Sequence, residues 1–460
     1  MSRLLILAVV VLLPAGDLWG QVRRVELAAD SSETRVIDGR RVTELFNVRL
    51  SEDTARLRAE RGIDYGTGDI HFYRNVRMID QGDTLTADEV RYNRFTKLGR
   101  ATGNVRLGDG EVVVNAPEGD FDLRAHRADF RAGVRMVDSV SVLTSENGSY
   151  WTEEKRAEFA GLVRLDSDDT DVLADSLTYL RGGRRSDARG NVLIARRGED
   201  TETLILGDRA VNDDSLGTGE AYGNVLVVRV SADSTASDTL YIAAEIVRSF
   251  RDDIEEWTAA TGSVQVWDTE YAALSDSVYQ MQDLESRRNW SRLFGAPFIW
   301  VGESQVSGDT VAVAGVSGSV DSLRVRGNAF VAQRDTMVNR IQQLKGRTLQ
   351  GRFADGDLQA LEVTPNAEAV YFNRDEADSL NGAMQVTADR IRFLFEGEEI
   401  SDLRVYQDVN GTYFPLELIP SELRLDGLNW RPDARPDPLP FRQRLQEALA
   451  RFQAQPSSDS

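Results

Sequence analysis

Residue types that do bond chemistry are scarce in this chain. Its 460 residues include no cysteine and only two histidines, His71 and His126, which are far apart and in strand-like settings. That removes cysteine nucleophiles, thiolate metal sites, iron–sulfur clusters and disulfides, and leaves little histidine for acid–base work. No Ser/His/Asp arrangement, phosphate loop or paired-carboxylate motif is present in the sequence. The acidic group Asp166, Asp168, Asp169 and Asp171 has calcium-ligand residue types. It lacks the glycine and terminal glutamate of an EF-hand loop and reads as a solvated turn. Asn147-Gly148-Ser149 fits a glycosylation acceptor by pattern only. The expectation is a protein that is not an enzyme, with no metal and no cofactor.

The charge narrows the partners. A formal net charge of −21 argues against nucleic acid, whose phosphates need a positive surface. Lys97, Lys155 and Lys345 are the only lysines, so nearly all of the 54 basic residues are arginine. A GC-rich or salt-adapted genome explains that bias, and bidentate phosphate recognition is the functional alternative.

The N-terminus reads MSRLLILAVVVLLPAGDLWGQ, with Arg3 before a ten-residue apolar run from Leu4 to Leu13 and breakers at Pro14 and Gly16. This is the layout of a secretory signal peptide over residues 1–20, cleaved before Gln21. The run is too short to cross a hydrocarbon core of about 30 Å. Without cysteine no lipid anchor can be attached there. The expectation is an exported, periplasmic protein, soluble or peripherally bound, with outer-membrane association or an uncleaved N-terminal anchor as the alternatives.

A repeat organises the remainder. A small–Asn–Val motif places its second residue at Asn47, Asn75, Asn104, Gly133, Leu162, Asn191, Asn224, Ser263, Ala296, Asn328 and Asn366. The early intervals are 28 or 29 residues and the later ones are longer. The fullest form is Ala101-Thr102-Gly103-Asn104-Val105, repeated at Ala188–Val192 and Ala221–Val225. Gly-Asn is turn chemistry, because both residues tolerate positive φ. The following valine opens a strand, so each unit reads turn, strand, turn, strand. A second motif of Asp-Thr-Leu-x-Ala-Asp type lies between the anchors, as at Asp83–Asp88 and Asp171–Asp175. Within strands the period is two, which is a strand with one buried and one wet face. The expected fold is all-β: an elongated, twisted antiparallel array of stacked repeats with two facing sheets and little helix. Regular repeats fill 21–230, and looser ones fill 231–430 after a polar break at Ser231 to Ser237. A Pro-rich tail, 431–460, carries a short amphipathic helix through Phe441, Leu445, Leu449 and Phe452 and then a Ser/Asp end. The Pro-rich segment would cap the C-terminal end of the stack and leave only the N-terminal edge free.

The anchor and the Asp-Thr-Leu-x-Ala-Asp segment, alternating at a fixed period over about residues 40–400, resemble the OstA/LptA-like family, the periplasmic β-jelly-roll proteins of lipopolysaccharide transport. Asp238–Ile242, Asn339-Arg340-Ile341, Lys345-Gly346 and Asn366–Tyr371 look like the longer, Bacteroidetes-type members. The resemblance implies a twisted jelly roll whose apolar groove shields acyl chains of lipopolysaccharide or a related glycolipid. It also implies pairing, sheet edge to sheet edge, with other jelly-roll transport proteins to bridge inner and outer membranes. The chain is longer than the small bridge protein of that family, and the expectation from the short stretch after its repeats is that it does not carry the C-terminal β-barrel of the outer-membrane translocon.

Two residue sets follow. The apolar anchor positions Val48, Leu50, Val76, Met78, Val105, Leu107, Val134, Met136, Val163, Leu165, Val192, Ile194, Val225 and Val227 would line a lipid groove. They would equally fill the packed core of a structural or adhesive β-solenoid with no ligand. A polysaccharide-active β-helix would need carboxylates converging on one groove, and the spacing supplies none. Alternation puts Arg49, Arg77, Arg106, Arg135 and Arg164 on the opposite face, as an outer arginine ladder. Such a ladder either meets anionic head groups or is neutralised by acids interleaved from neighbouring strands, such as Asp88 and Asp175.

Overall fold

A computed structural model describes residues 25–454 except 38, 53, 199–200, 232–238, 317–318, 355–356, 376 and 398. The signal segment, nearly all of the 231–237 break and the Ser/Asp end lie outside the described residues. What is described is all-β, with thirty-two strands, three 3-10 turns and one α-helix at the C-terminus. The described strand pairings are antiparallel, as expected from the period of two. The chain divides into two compact units, Met1–Gly110 and Glu111–Ser460.

Hairpin tips are set by short acidic side chains that accept backbone N–H bonds two and three residues on, the Asx-turn geometry. Asp122 accepts from Arg124 and Ala125, Asp213 from Ser215 and Leu216, and Asp252 from Ile254 and Glu255. These bonds hold the Asp252 carboxyl below its ordinary range. Part of the net negative charge is therefore turn structure.

All eleven anchor residues have positive φ, between 48° and 54° except Gly133 at 101°. They are not turns between strands, which corrects the turn–strand reading. Each lies at a bend within a pair of arms, and at most of them the bend falls inside one continuous strand. Gly103 and Asn104, for example, sit in the middle of strand Leu98–Gly108. Two successive left-handed residues there add a bulge, and the pairing register slips between Thr86 and Glu89 opposite. The same slip recurs opposite Asn191, Asn224 and Ser263. The hydrogen-bond ladder runs through each bend, so the two expected sheets are the two arms of one folded ladder.

The bend turns the inner faces toward each other. In the first unit a Cβ built on Gly62 of one arm would lie 3.2 Å from the Val48 methyl of the other, so glycine leaves room for the valine. In the second unit one core cluster mixes Val225 and Val264 of one arm with Ala221, Val247 and Ala260 of the other.

The tail behaves differently from the expected end cap. Helix α1, Pro438–Ala454, lies over the outer face of the second unit, where Phe441, Leu445, Ala448, Leu449 and Phe452 pack with Leu173, Leu193, Leu206, Leu226, Val228 and Tyr241. Asp437 accepts the Leu439 N–H at 2.9 Å, and proline at the first helical position has no N–H to orphan. Before α1, the stretch 419–430 is held to the outer face by two buried glutamines acting as surrogate backbone. Gln305 donates to Asn429 O at 2.6 Å and accepts from Arg431 N at 2.8 Å. Gln343 accepts from Leu425 N at 2.7 Å and donates to Leu423 O. Among the described residues the strands Glu399–Tyr406 and Asn410–Pro415 each keep a single strand partner, as do the N-terminal strands Val25–Ala28 and Ser31–Ile37.

Candidate functional site

The inner residues of one arm form a column aligned strand by strand. In the first unit it reads Leu50, Leu57, Met78, Leu85 and Leu107. In the second it includes Met136, Leu143, Leu165, Val172, Ile194, Ile205, Val227, Ile242 and Val266. Every member of the first unit's column is buried, Leu50 being 3% exposed and Leu57 2%. In the second unit Leu165, Val172, Ile194, Ile205, Val227 and Ile242 are all half-buried.

The opposite arm explains the difference. Its inner column in the second unit begins with Phe130, Gly148, Phe159 and Leu177 and continues with Ala188, Ala210 and Ala221. Where aromatic and leucine side chains give way to alanine, the facing aliphatics are only half-buried, and the shallow row they form is called the trough. Two residues further out on that arm stand Ser186, Asn212, Gly219, Ser249, Thr258 and Gln280, an uncharged polar margin. On the other arm Arg196, Thr203 and Arg229 occupy the margin beyond Ile194, Ile205 and Val227. Tyr271 belongs to the same inner face, and burial, followed by Asp268, pushes its phenol up to about 12.

Of the fourteen positions read from sequence as lining, eleven are buried. Leu165, Ile194 and Val227 are the half-exposed ones, and the trough also uses Val172, Ile205 and Ile242 from the intermediate strands. Those intermediate residues carry no anchor motif. Their signal is the alternation Leu204-Ile205-Leu206, apolar on both faces, which marks a strand covered on each side.

The outer row has a composition that sequence reasoning missed. In the first unit Arg49, Arg58, Arg77, Thr86 and Arg106 stand side by side in register. The interleaved residues are Arg58 and Thr86 rather than acids. Arg49 pairs with Asp30 at 2.7 Å, whereas Arg58, Arg77 and Arg106 form no ion pair among the described residues. In the second unit the row reads Asn115, Arg135, Thr144, Arg164, Leu173, Leu193, Leu206 and Leu226. Arginine changes to leucine where α1 covers the sheet. Arg164 marks the border, with its guanidinium 4.4 Å from the Phe452 ring and bonded to Asp166 at 2.8 Å.

Asp88 and Asp175 do not neutralise the ladder. They sit at the bends, where Asn104 donates to Asp88 at 2.8 Å and Asn191 to Asp175 at 3.0 Å. Asp30–Asn47 and Asp309–Asn328 repeat the pair at 3.0 Å, and Glu60–Asn75 and Asp208–Asn224 are of the same kind. The signal was available as an acid 15–19 residues before each of these six asparagines.

The remaining candidates have local partners. His71 bonds Glu89 at 3.2 Å and His126 pairs with Glu153 at 3.3 Å. Asp171 is held by Arg197, as Asp166 is by Arg164. Among the described residues no group of three or more His, Asp or Glu is placed to hold a metal ion.

One outer ion cluster gives a pH prediction. Asp187 accepts from Arg189 at 2.9 Å and from Arg209 at 2.7 Å. Burial raises its pKa, but the bonds from Arg209 and Arg189 outweigh it, and the net result lies well below the ordinary 3.8. A depressed carboxyl contributes stability above its unfolded pKa and loses it as pH falls through the folded value. Asp187→Asn should lower stability by about 1 kcal/mol at neutral pH, given the exposure of both arginines. In thermal melts the deficit should shrink below about pH 3.8, the unfolded carboxyl value.

With this geometry in place, residues 25–175 match the family model described as OstA-like protein. That stretch is OstA-like. No curated protein matches the chain. The OstA-like segment contains the arginine row and the first five bends. The same bend geometry continues beyond it at Asn191, Asn224, Ser263, Ala296, Asn328 and Asn366. No helix among the described residues is long and apolar enough to cross a membrane.

Proposed function

We propose that the chain is a non-enzymatic periplasmic carrier for lipopolysaccharide or a related glycolipid, which holds acyl chains in the trough of the second unit while the sugars stay outside. The observation that carries the reading is the register-aligned row Leu165, Val172, Ile194, Ile205, Val227 and Ile242, large aliphatics left half-exposed inside a fold that buries their counterparts elsewhere. Water contact costs about 0.8 kcal/mol per methylene, so a twelve-carbon chain gains roughly 10 kcal/mol from such a lining. A row of like side chains gives successive positions of similar energy, which suits sliding. The polar margins suit sugar hydroxyls. The exposed arginines of the outer row are proposed to face anionic head groups. The open edge strands at Ser31–Ile37 and Glu399–Tyr406 suit pairing with other jelly-roll transport proteins, and through them a bridge between inner and outer membranes.

The test places a photo-crosslinking residue at Ile205 or Val227 in protein exported in its native envelope, with adducts identified by mass spectrometry. A glycolipid adduct is the expected result, and Ile205→Asp should cut lipid retention at least tenfold. The aspartate would sit at a half-open position and reach water, so the fold should survive it. Absence of any lipid adduct from gently extracted protein would sink the carrier reading.

The first unit favours a second reading for its own interior. Leu50, Leu57 and Leu85 are 2–4% exposed, as in a closed core without ligand.

A further inference from the structure

The closed interior of the first unit contains three polar side chains that a plain hydrophobic core would not use. Glu52 is the third inward residue after the Asn47 bend, following Val48 and Leu50, and it is 3% exposed. An ionised carboxylate in that position is costly unless it is paired and hydrogen-bonded. Both partners arrive from the other arm. The Tyr92 hydroxyl donates to Oε2 at 2.5 Å, and the Lys97 ammonium pairs with Oε1. Tyr92 is itself 2% exposed.

Their position along the strands matters as much as their chemistry. Glu52 is the last residue of strand Arg40–Glu52, and Tyr92 is next to last in strand Asp83–Asn93. Both lie at the ends farthest from the bends at Asn47 and Asp88. The bends close one side of the interior, and this bond spans the other. The corresponding positions of the second unit lie five residues after the anchor and four after the bend acid. Beside the half-buried row they are Arg196 and Arg229 on one arm and Asn212 and Ser249 on the other, and among the described residues no hydrogen bond joins these sets. The column beside the bond is buried throughout, whereas Ile194, Ile205 and Val227 beside the unbonded positions are half-buried.

We propose that Glu52, Tyr92 and Lys97 form a latch that determines whether the interior of the first unit admits an acyl chain. The proposal rests on the carrier reading of the trough, and the latch itself can be tested without a lipid. Held shut, the first unit excludes ligand. With the carboxylate released, the Leu50, Leu57 and Met78 column becomes a lining of the same character as the Ile205 row. The three residues thus set how much of the chain takes ligand.

The chain has no cysteine, so one introduced thiol reports access cleanly. Leu57→Cys should react slowly with a water-soluble maleimide in the otherwise native protein, and Ile205→Cys quickly. Adding Glu52→Gln or, separately, Tyr92→Phe should speed labelling at position 57 at least tenfold, with circular dichroism and the thermal midpoint reporting retained fold. Tyr92→Phe removes a single hydroxyl and carries the test if Glu52→Gln does not fold. A photo-crosslinker at Leu57 should then capture glycolipid in the latch variants and not in the parent. The proposal is overturned if position 57 stays equally protected in a folded variant, or if it labels as fast as position 205 in the parent. Lipid capture failing at Ile205 as well would defeat the carrier reading, while the thiol rates still decide the latch.

Discussion

Removal of residues 436–460 should convert the protein from a discrete species into self-associating material. Among the described residues, helix α1 is what covers Leu193, Leu206, Leu226 and Val228, an outer apolar strip. Four half-buried helix side chains, Phe441, Leu445, Leu449 and Phe452, face it at about 1.5–3 kcal/mol each for full burial, so their loss is worth on the order of 5 kcal/mol. Arg444 also donates to the Asn224 carbonyl, and Tyr241 stacks on Phe441 with ring centroids 5.9 Å apart. Light scattering should show oligomers, and a dye specific for exposed apolar surface should bind. The cause would be the bared face rather than a freed strand edge. Leu445→Ser with Phe441→Ser should reproduce the effect in the full chain, and Leu193→Arg should relieve it in the truncated one. A truncated protein that stays monomeric with an unchanged melt would mean that the helix contributes little.

The second large effect is expected at a bend. Gly223 has φ +73°, and a Cβ built there would lie 2.9 Å from Asp208 Cβ and 2.8 Å from its Cγ. Gly223→Val combines a left-handed backbone, about 1–2 kcal/mol, with displacement of the carboxylate that receives the Asn224 amide. A cost of about 2–4 kcal/mol is expected. Stacked repeats open locally, so hydrogen exchange across Thr201–Asp213 and Thr218–Ser231 should rise more than the global melt falls. Asn224→Gly is the contrast: it gives up one long hydrogen bond but keeps the permitted φ, and should cost under about 1 kcal/mol. Equal losses from the two substitutions would remove the conformational account.

The eleven anchors were legible because positive φ admits few residue types, so a geometric requirement leaves a periodic mark in composition. Their role was misread because Gly-Asn looks the same in a hairpin tip and in a mid-strand bulge. What separates the two is the acid on the preceding strand, a partner 15–19 residues away. Arg49, Arg77 and Arg106 share a row with Arg58 and Thr86 because strand alternation is local. The unneutralised neighbour Arg58 was missed because it belongs to a strand without a motif. Helix α1 was visible through Phe441, Leu445, Leu449 and Phe452. Its docking site was written in the two-sided apolar runs Val192-Leu193-Ile194 and Val225-Leu226-Val227-Val228. Glu52 gave no signal, because Ser51-Glu52 before Asp53-Thr54 reads as an ordinary polar hairpin and its partners lie 40 and 45 residues on.

The folded ladder also governs how such a chain can change length. Adjacent strands run in opposite directions, so losing one strand would reverse everything that follows and point each bend the wrong way. Losing two strands, the 28–29-residue interval, restores direction, bend and inward face together. Duplication or deletion in this lineage is therefore quantised in strand pairs. An inserted pair brings its own anchor asparagine, its own acid and its own portion of interior, and alters none of the others.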